Sequence, residues 1–374
     1  MSIDAFSKHF AELQDPRQTA KVAYPLFDVL FLTLCAVIGG AEGWQDIEDF
    51  GDAHLDWFQK RQLFLNGMPV DDTIAHVISR LDPLQFQHCF LSWMTSVSQR
   101  SNGDVIALDG KVLRGSYHRD DRASAIHMVS AFACANGVVL GQVKTDAKSN
   151  EITAIPALLS LLDINNCLIS IDAMGCQTAI AAQIIEQGGD YLLAVKGNQE
   201  RLSNAVREAF KPVLAEQHIA SIEQNRGRVE VRQYHVMPAE EVARHFPEWK
   251  GLRALGVAVG YQQKSKGEVS LEHRYYISSA PLERATFANA VRSHWGIENQ
   301  LHWVLDVTMK EDACSIYRGD AAEILATARH MALNMLRAEE GKRASIRRKQ
   351  KIAAMNSDYL EQVILSGVRA ANKE

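Results

Sequence analysis

Through its first hundred residues the chain spaces apolar side chains three and four apart, the interval that lines one face of a helix. Trp44, Ile47, Phe50, Leu55 and Phe58 fall near that spacing, and the apolar stretch after Pro25 has the length of a buried core helix. Val70-Asp71-Asp72-Thr73 offers capping chemistry for a helix from Ile74 to Leu81, Asp82-Pro83 stops it, and another helix runs from Leu84 to about Ser98. Polar Arg100-Ser101-Asn102-Gly103-Asp104 then marks a boundary.

Beyond it the period changes. Val105 to Leu108 is a short buried strand ending in Asp109-Gly110-Lys111. Ala125 to Ala135 and Val138 to Thr145 are apolar, β-rich runs joined by Asn136-Gly137, a strong hairpin signal. A helix from Glu151 to Leu162 follows, then a strand from Cys167 to Ile171 ending in Asp172. A helix from Cys176 to Glu186 and a strand from Tyr191 to Val195 complete the series. Buried strands alternating with helices predict a parallel portion, and the hairpin adds an antiparallel one. The expected fold is α/β: an RNase H-like mixed five-stranded sheet with flanking helices, interrupted by a β-rich insertion and preceded by a helical N-terminal domain. The divisions predicted are 1–100 (helical), 101–199 (first part of the core) and 200–285 (the β-rich insertion). Residues 286–340 would return to the core along a helix from about Leu282 to Leu305, and 341–374 would be a basic segment and tail.

Composition narrows the class. A hydrophobic share of 47% with 23% charged residues matches a folded soluble protein. The longest apolar stretch, Val29 to Gly40, falls short of the about 20 residues of a membrane span. Six cysteines without a C-x-x-C pair predict a reducing compartment, and the opening residues lack a signal peptide's apolar run, so a cytoplasmic location is expected. The net charge of −5 argues weakly against nucleic acid, since a basic groove can coexist with acidic surface elsewhere.

Asp109 and Asp172 each end an otherwise uncharged, apolar strand. An unpaired carboxylate near a core costs several kcal/mol, and carboxyl ends of strands in open α/β sheets are where ligand sites form. Each aspartate alone could simply cap a turn. Two on neighbouring strands would repel one another unless a cation lies between them, and carboxylate oxygens are the ligands that Mg²⁺ or Mn²⁺ selects.

The stretches IALDGKVLRGSY (106–117), VKTDAKSNEITAIP (143–156), ISIDAMGCQTAIA (169–181), DYLLAVKGNQ (190–199) and HWGIENQLHWVLDVTMKEDAC (294–314) closely resemble the H-repeat-associated, ISAs-type branch of the DDE transposases. AEGWQDIEDFG (41–51) and PVDDTIAHVISRLDP (69–83) extend the resemblance into the helical front part. It implies an RNase H-like core whose three acids are Asp109, Asp172 and Glu298, the last on a late helix, with Asp306 as the reserve choice. Related transposases carry a Tyr–Arg–Glu–Lys signature around the third acid. Here His294 stands at the arginine position and Leu305 at the lysine position.

Two Mg²⁺ or Mn²⁺ ions held by these acids would support in-line phosphoryl transfer: cleavage at the ends of an insertion sequence, then attack of the freed 3′-OH on target DNA. A catalytically idle DNA-binding remnant, or a nuclease or resolvase on the same fold, are the alternatives. His294, Glu298 and His302 also form an H-x3-E-x3-H pattern, a weak transition-metal signal without an H-E-x-x-H or C-x-x-C partner. The expected partner is double-stranded DNA, bound by a homodimer that pairs two element ends. Lys111, Arg114, Lys196, Asn198 and His294 near the acids are candidate DNA contacts. Lys342, Arg343, Arg347, Arg348, Lys349 and Lys351 form an acid-free basic run that fits phosphate tracking, or a solvated helix face.

Overall fold

The computed structural model describes residues 2–18, 22–97, 103–117, 125–145, 151–215, 223–225, 228–263 and 269–369. Arg100, Ser101 and Asn102 of the expected boundary lie outside them. The front part holds α1 (Ser2–Phe10), α2 (Leu26–Gly39), α3 (Trp44–Ala53), α4 (Leu55–Gln59), α5 (Asp71–Ile78) and α6 (Pro83–Val97). Next come β1 (Val105–Leu113), β2 (Ile126–Ala133), β3 (Val138–Lys144), α7 (Glu151–Leu161), β4 (Leu168–Ile171), α8 (Thr178–Glu186) and β5 (Asp190–Val195). After α9 (Glu200–Ala215) the chain forms β6 (Glu223–Asn225), β7 (Arg228–Pro238), α10 (Glu240–His245), β8 (Ala254–Gln263) and β9 (Val269–Ser278). It closes with α11 (Arg284–Gly296), a π-helical turn (Ile297–His302), α12 (Trp303–Val307), α13 (Ala321–Ala338), α14 (Ile346–Met355) and α15 (Ser357–Arg369).

Among the described residues the strands form one sheet in the order β3-β2-β1-β4-β5-β9-β8-β7-β6. The five expected strands are neighbours at one end of it, with β1, β4 and β5 parallel and β1-β2-β3 antiparallel. The β2–β3 turn places Gly137 at φ 65°, a left-handed conformation that glycine adopts without strain. The sheet continues past the expected five strands. β9 pairs antiparallel with the open edge of β5, and β8 and β7 follow. The region read as an interruption is therefore an extension, satisfying a strand edge that would otherwise expose unpaired backbone groups.

The same region holds a helix that the strand-like reading passed over. In α9, Leu202, Val206 and Phe210 fall four apart and are all buried, a helical row within a segment otherwise dominated by alternation.

The two sheet faces bury different helices. Ile106, Leu108, Ile169, Ile171 and Leu193 pack in one core with residues of α7, α8 and α9. Ala107, Phe132 and Val139 face the other core, shared with the front helices, the π turn and α13. The expected C-terminal tail is also corrected. In α15 Leu360, Val363 and Ile364 are buried against the front helices, and α14 packs on α2, so the two ends of the chain build one helical unit. Among the described residues, no single helix is long and apolar enough to cross a membrane, and Val29 to Ile38 of α2 are core.

Candidate active site

The acids meet because of register and side-chain alternation. The last parallel pair between β1 and β4 is Leu108 with Ile171, so Asp109 and Asp172 follow side by side. Asp172 leaves the end of β4, whereas β1 does not stop at Asp109 as expected but runs on to Leu113 because β2 keeps pairing with it. Successive residues of a strand point to opposite faces. Ala107, Asp109 and Lys111 therefore share the face on which Ile297 and Leu301 of the π turn are packed. The helical segment 297–307 lies along β1, and its polar residues meet that row in order. His302 Nδ1 stands 3.5 Å from Asp109 Oδ2. Lys111 Nζ pairs with both Asp306 and Glu311. Glu298, one turn before His302 and solvent-exposed, acts electrostatically on Asp109.

Asp109 is pushed up to about 7, first by burial and then by the charges of Asp172, Glu151 and Glu298. Among the described residues no lysine or arginine pairs with Asp109, Asp172 or Glu298. Asp172 Oδ1 accepts hydrogen bonds from the backbone N–H groups of Met174 and Gly175, at 3.0 and 3.3 Å, which orients the carboxylate as the chain leaves β4. Among the described residues, no three His, Cys, Asp or Glu side chains close tightly enough to hold an ion as they stand. The donor chemistry nonetheless fits a hard divalent cation: oxygen-only, like-charged and without a protein cation to neutralise it.

Several expected contacts are placed differently. Asp306, the reserve choice, pairs with Lys111, whereas Glu298 acts electrostatically on Asp109. Lys111 serves this internal network, where its side chain is 10% exposed, and is not free to meet a phosphate. His294 is half-buried beside Asp172, and its ring is held below its ordinary value by burial first. His302 is likewise pushed down to about 4, by burial and then by Lys111. Among the described residues neither histidine pairs with Glu298, so the H-x3-E-x3-H pattern does not assemble as a ligand set.

Asn198 donates to the Ala173 carbonyl at 2.5 Å and ties the start of α9 to the Asp172 loop. Lys196 and Arg114 are exposed, Arg114 with its backbone N–H on Asp312 Oδ1 at 3.3 Å. On α14 and the loop before it Lys342, Arg343, Arg347, Arg348 and Lys351 are exposed. Lys349 is not. It is buried, donating to the carbonyls of Leu336 and Glu339 and pairing with the Glu339 carboxylate at 3.3 Å. Helical periodicity turns this one member of the basic run inward.

Sequence reasoning missed Glu151. It opens α7, and its carboxylate lies against Gly110, where a Cβ would come within 2.0 Å of Oε1. Its legible signal was the pairing of a glycine after the first acid with an acid at the start of the next helix. The Lys111–Asp306–Glu311 network was also missed, because nothing in sequence spacing joins residues about two hundred positions apart.

Residues 100–335 match the family described as Transposase DDE domain, and residues 7–94 match the family described as DDE_Tnp_1-associated. The chain is 49% identical over 373 residues to "H repeat-associated putative transposase YhhI" of Escherichia coli strain K12, covering 97% of this chain and 98% of that protein. It is also 49% identical to "Putative transposase YncI" of Escherichia coli O157:H7, covering 98% and 96%. A solved piggyBac transposase synaptic complex with hairpin DNA aligns at TM-score 0.43 and 10% identity, over 96% of this chain and 78% of that one.

Lys111→Met strands the buried Glu311 without its cation and should cost about 3–5 kcal/mol in urea unfolding. A loss below about 0.5 kcal/mol, with DNA affinity reduced instead, would return Lys111 to the phosphate-binding role. The Asp109 shift has its own signature. Folding raises this carboxyl above 3.8, so its stabilising contribution is complete below about pH 4 and is lost as pH rises through about 7. In chelator-treated protein Asp109→Asn should therefore melt about 2–4 °C above wild type at about pH 8, the gap shrinking toward about pH 5. Equal melting temperatures across that range would contradict the crowding of charge at this site.

Proposed function

The chain belongs to the DDE transposase family, and on that premise we propose that it cleaves DNA at the ends of an insertion sequence and joins the freed 3′-OH to target DNA. The observation that supports this reading is the register that sets Asp109 and Asp172 beside one another on parallel strands, with Glu298 near enough to act electrostatically on Asp109. In this reading β3-β2-β1-β4-β5 form an RNase H-like catalytic core and β6 to β9 are an insertion that lengthens its sheet.

Asp109, Asp172 and Glu298 would hold Mg²⁺ or Mn²⁺. Such ions, when bound, supply Lewis-acid stabilisation of the phosphoryl oxygens and of the attacking and leaving oxygens. The chain's own residues do the positioning. Asp109, already crowded by like charge, exchanges that repulsion for attraction to a cation. The backbone donors at Met174 and Gly175 hold Asp172 in one orientation. Neutral His294 and His302 line the acids without competing as cations. The Lys111 network fastens the segment bearing Glu298 to the strand bearing Asp109.

Double-stranded DNA is the partner, met by a homodimer so that two element ends can be paired, in the cytoplasm. Arg343, Arg347, Arg348 and Lys351 offer an exposed basic face on the helical unit, to which residues 7–94 contribute, for sequence-independent phosphate contacts. Lys196, exposed directly after β5, would meet the reacting strand.

The test uses DNA carrying the element's ends, a target plasmid and Mg²⁺. Wild type should give both cleaved ends and joined products. Asp172→Asn and Glu298→Gln should each fall below about a thousandth of wild-type product while keeping fold and DNA affinity. Cleavage without joining would make the chain a nuclease. An active Glu298→Gln would remove that residue from the reacting centre.

A further inference from the structure

The site has a fourth carboxylate that approaches from the opposite face of the sheet. Asp109 points toward the π turn, and Gly110, by alternation, points toward the core beneath α7. Glu151 fills the space that a side chain at Gly110 would occupy. Its Oε1, Cδ and Cγ would lie 2.0, 2.3 and 2.9 Å from a Cβ there, so any other residue must expel it. This position in β1 is thus kept bare by contact with one particular acid.

Beyond Leu108, β1 has left its pairing with β4, so its edge next to Asp109 carries no strand partner on that side. The middle of β1 therefore stands between Glu151, against Gly110 on one face, and Asp109 on the other. Glu151 is half-buried, it interacts electrostatically with Asp109 and Asp172, and among the described residues no cation pairs with it. The His294 ring, next to Asp172, is acted on by the Ser170 backbone, and its buried Nδ1 has no hydrogen-bond partner among the described residues.

We propose that Glu151 is a fourth metal-facing carboxylate of this centre and that Gly110 is the notch that admits it. This rests on the metal-dependent reading of Asp109, Asp172 and Glu298. A negative charge in the first turn of α7 also favours the helix dipole, and that role alone would explain an acid at the position. The dipole explanation does not require Gly110 to be bare, nor does it connect Glu151 to divalent ions.

Titration calorimetry of MnCl₂ into the full-length chain separates the two. Wild type should bind Mn²⁺, and Asp109→Asn should lose that binding. Glu151→Gln should weaken Mn²⁺ affinity by at least about tenfold while remaining folded by circular dichroism. Gly110→Ala, which displaces the carboxylate without removing it, should weaken it similarly. If this variant does not fold, Glu151→Gln alone decides between the two roles. Wild-type Mn²⁺ affinity in Glu151→Gln, alongside loss in Asp109→Asn, overturns the role of Glu151 and leaves the three-acid centre standing. Absence of Mn²⁺ binding by wild type, or unchanged binding in Asp109→Asn, overturns the metal-dependent reading and this proposal together.

Discussion

Like charges are gathered here where water and the surrounding protein do least to separate them. Asp109 sits half-buried in the middle of β1, with Asp172 beside it at the end of β4 and Glu298 and Glu151 acting from helices. At short range in a poorly solvated site, each such repulsion amounts to several kcal/mol unless a cation or a proton intervenes. The rest of the architecture keeps these groups from relaxing apart. Parallel pairing sets the two aspartates side by side, and the hydrophobic packing of Ile297, Leu301 and Leu305 presses the late helical segment onto β1. The Lys111 network pins that segment from its polar side. In the proposed reading, the stability given up locally is what preorganises the centre for a divalent ion.

The π turn at Ile297–His302 belongs to the same account. A π turn widens the helix and is costly in isolation, which is why such turns concentrate at functional positions. This one holds Glu298 toward solvent and Asp109 while keeping Ile297 and Leu301 in the core. Arg337 of α13 braces it by donating to the carbonyls of Gln300 and of Gly137 in the β2–β3 turn, so the helix end and the hairpin share one anchor.

Much of this was legible in the sequence where local rules apply. Apolar runs ending in Asp109 and Asp172, the Asn136-Gly137 turn and the helical spacing of Trp44 to Phe58 each announce themselves over a short stretch of chain. What escaped depends on distant parts of the chain. The β5 edge is closed by β9, which lies far along the chain, so the sheet's true width is invisible to periodicity. Lys349 and Lys111 read as free cations because their partners are set by tertiary packing, which a count of basic residues does not see. Glu151 was hidden by the same limit: its meaning lies in a notch at Gly110, and only the fold brings the two together.

The most direct measurement is a crystal structure of the full-length chain soaked in Mn²⁺, with the ion located by its anomalous scattering. The account predicts a peak in contact with carboxylate oxygens of both Asp109 and Asp172, with Glu298 turned toward it from the π turn. A peak bound elsewhere, or Glu298 directed away while the two aspartates stay unbridged, would contradict it.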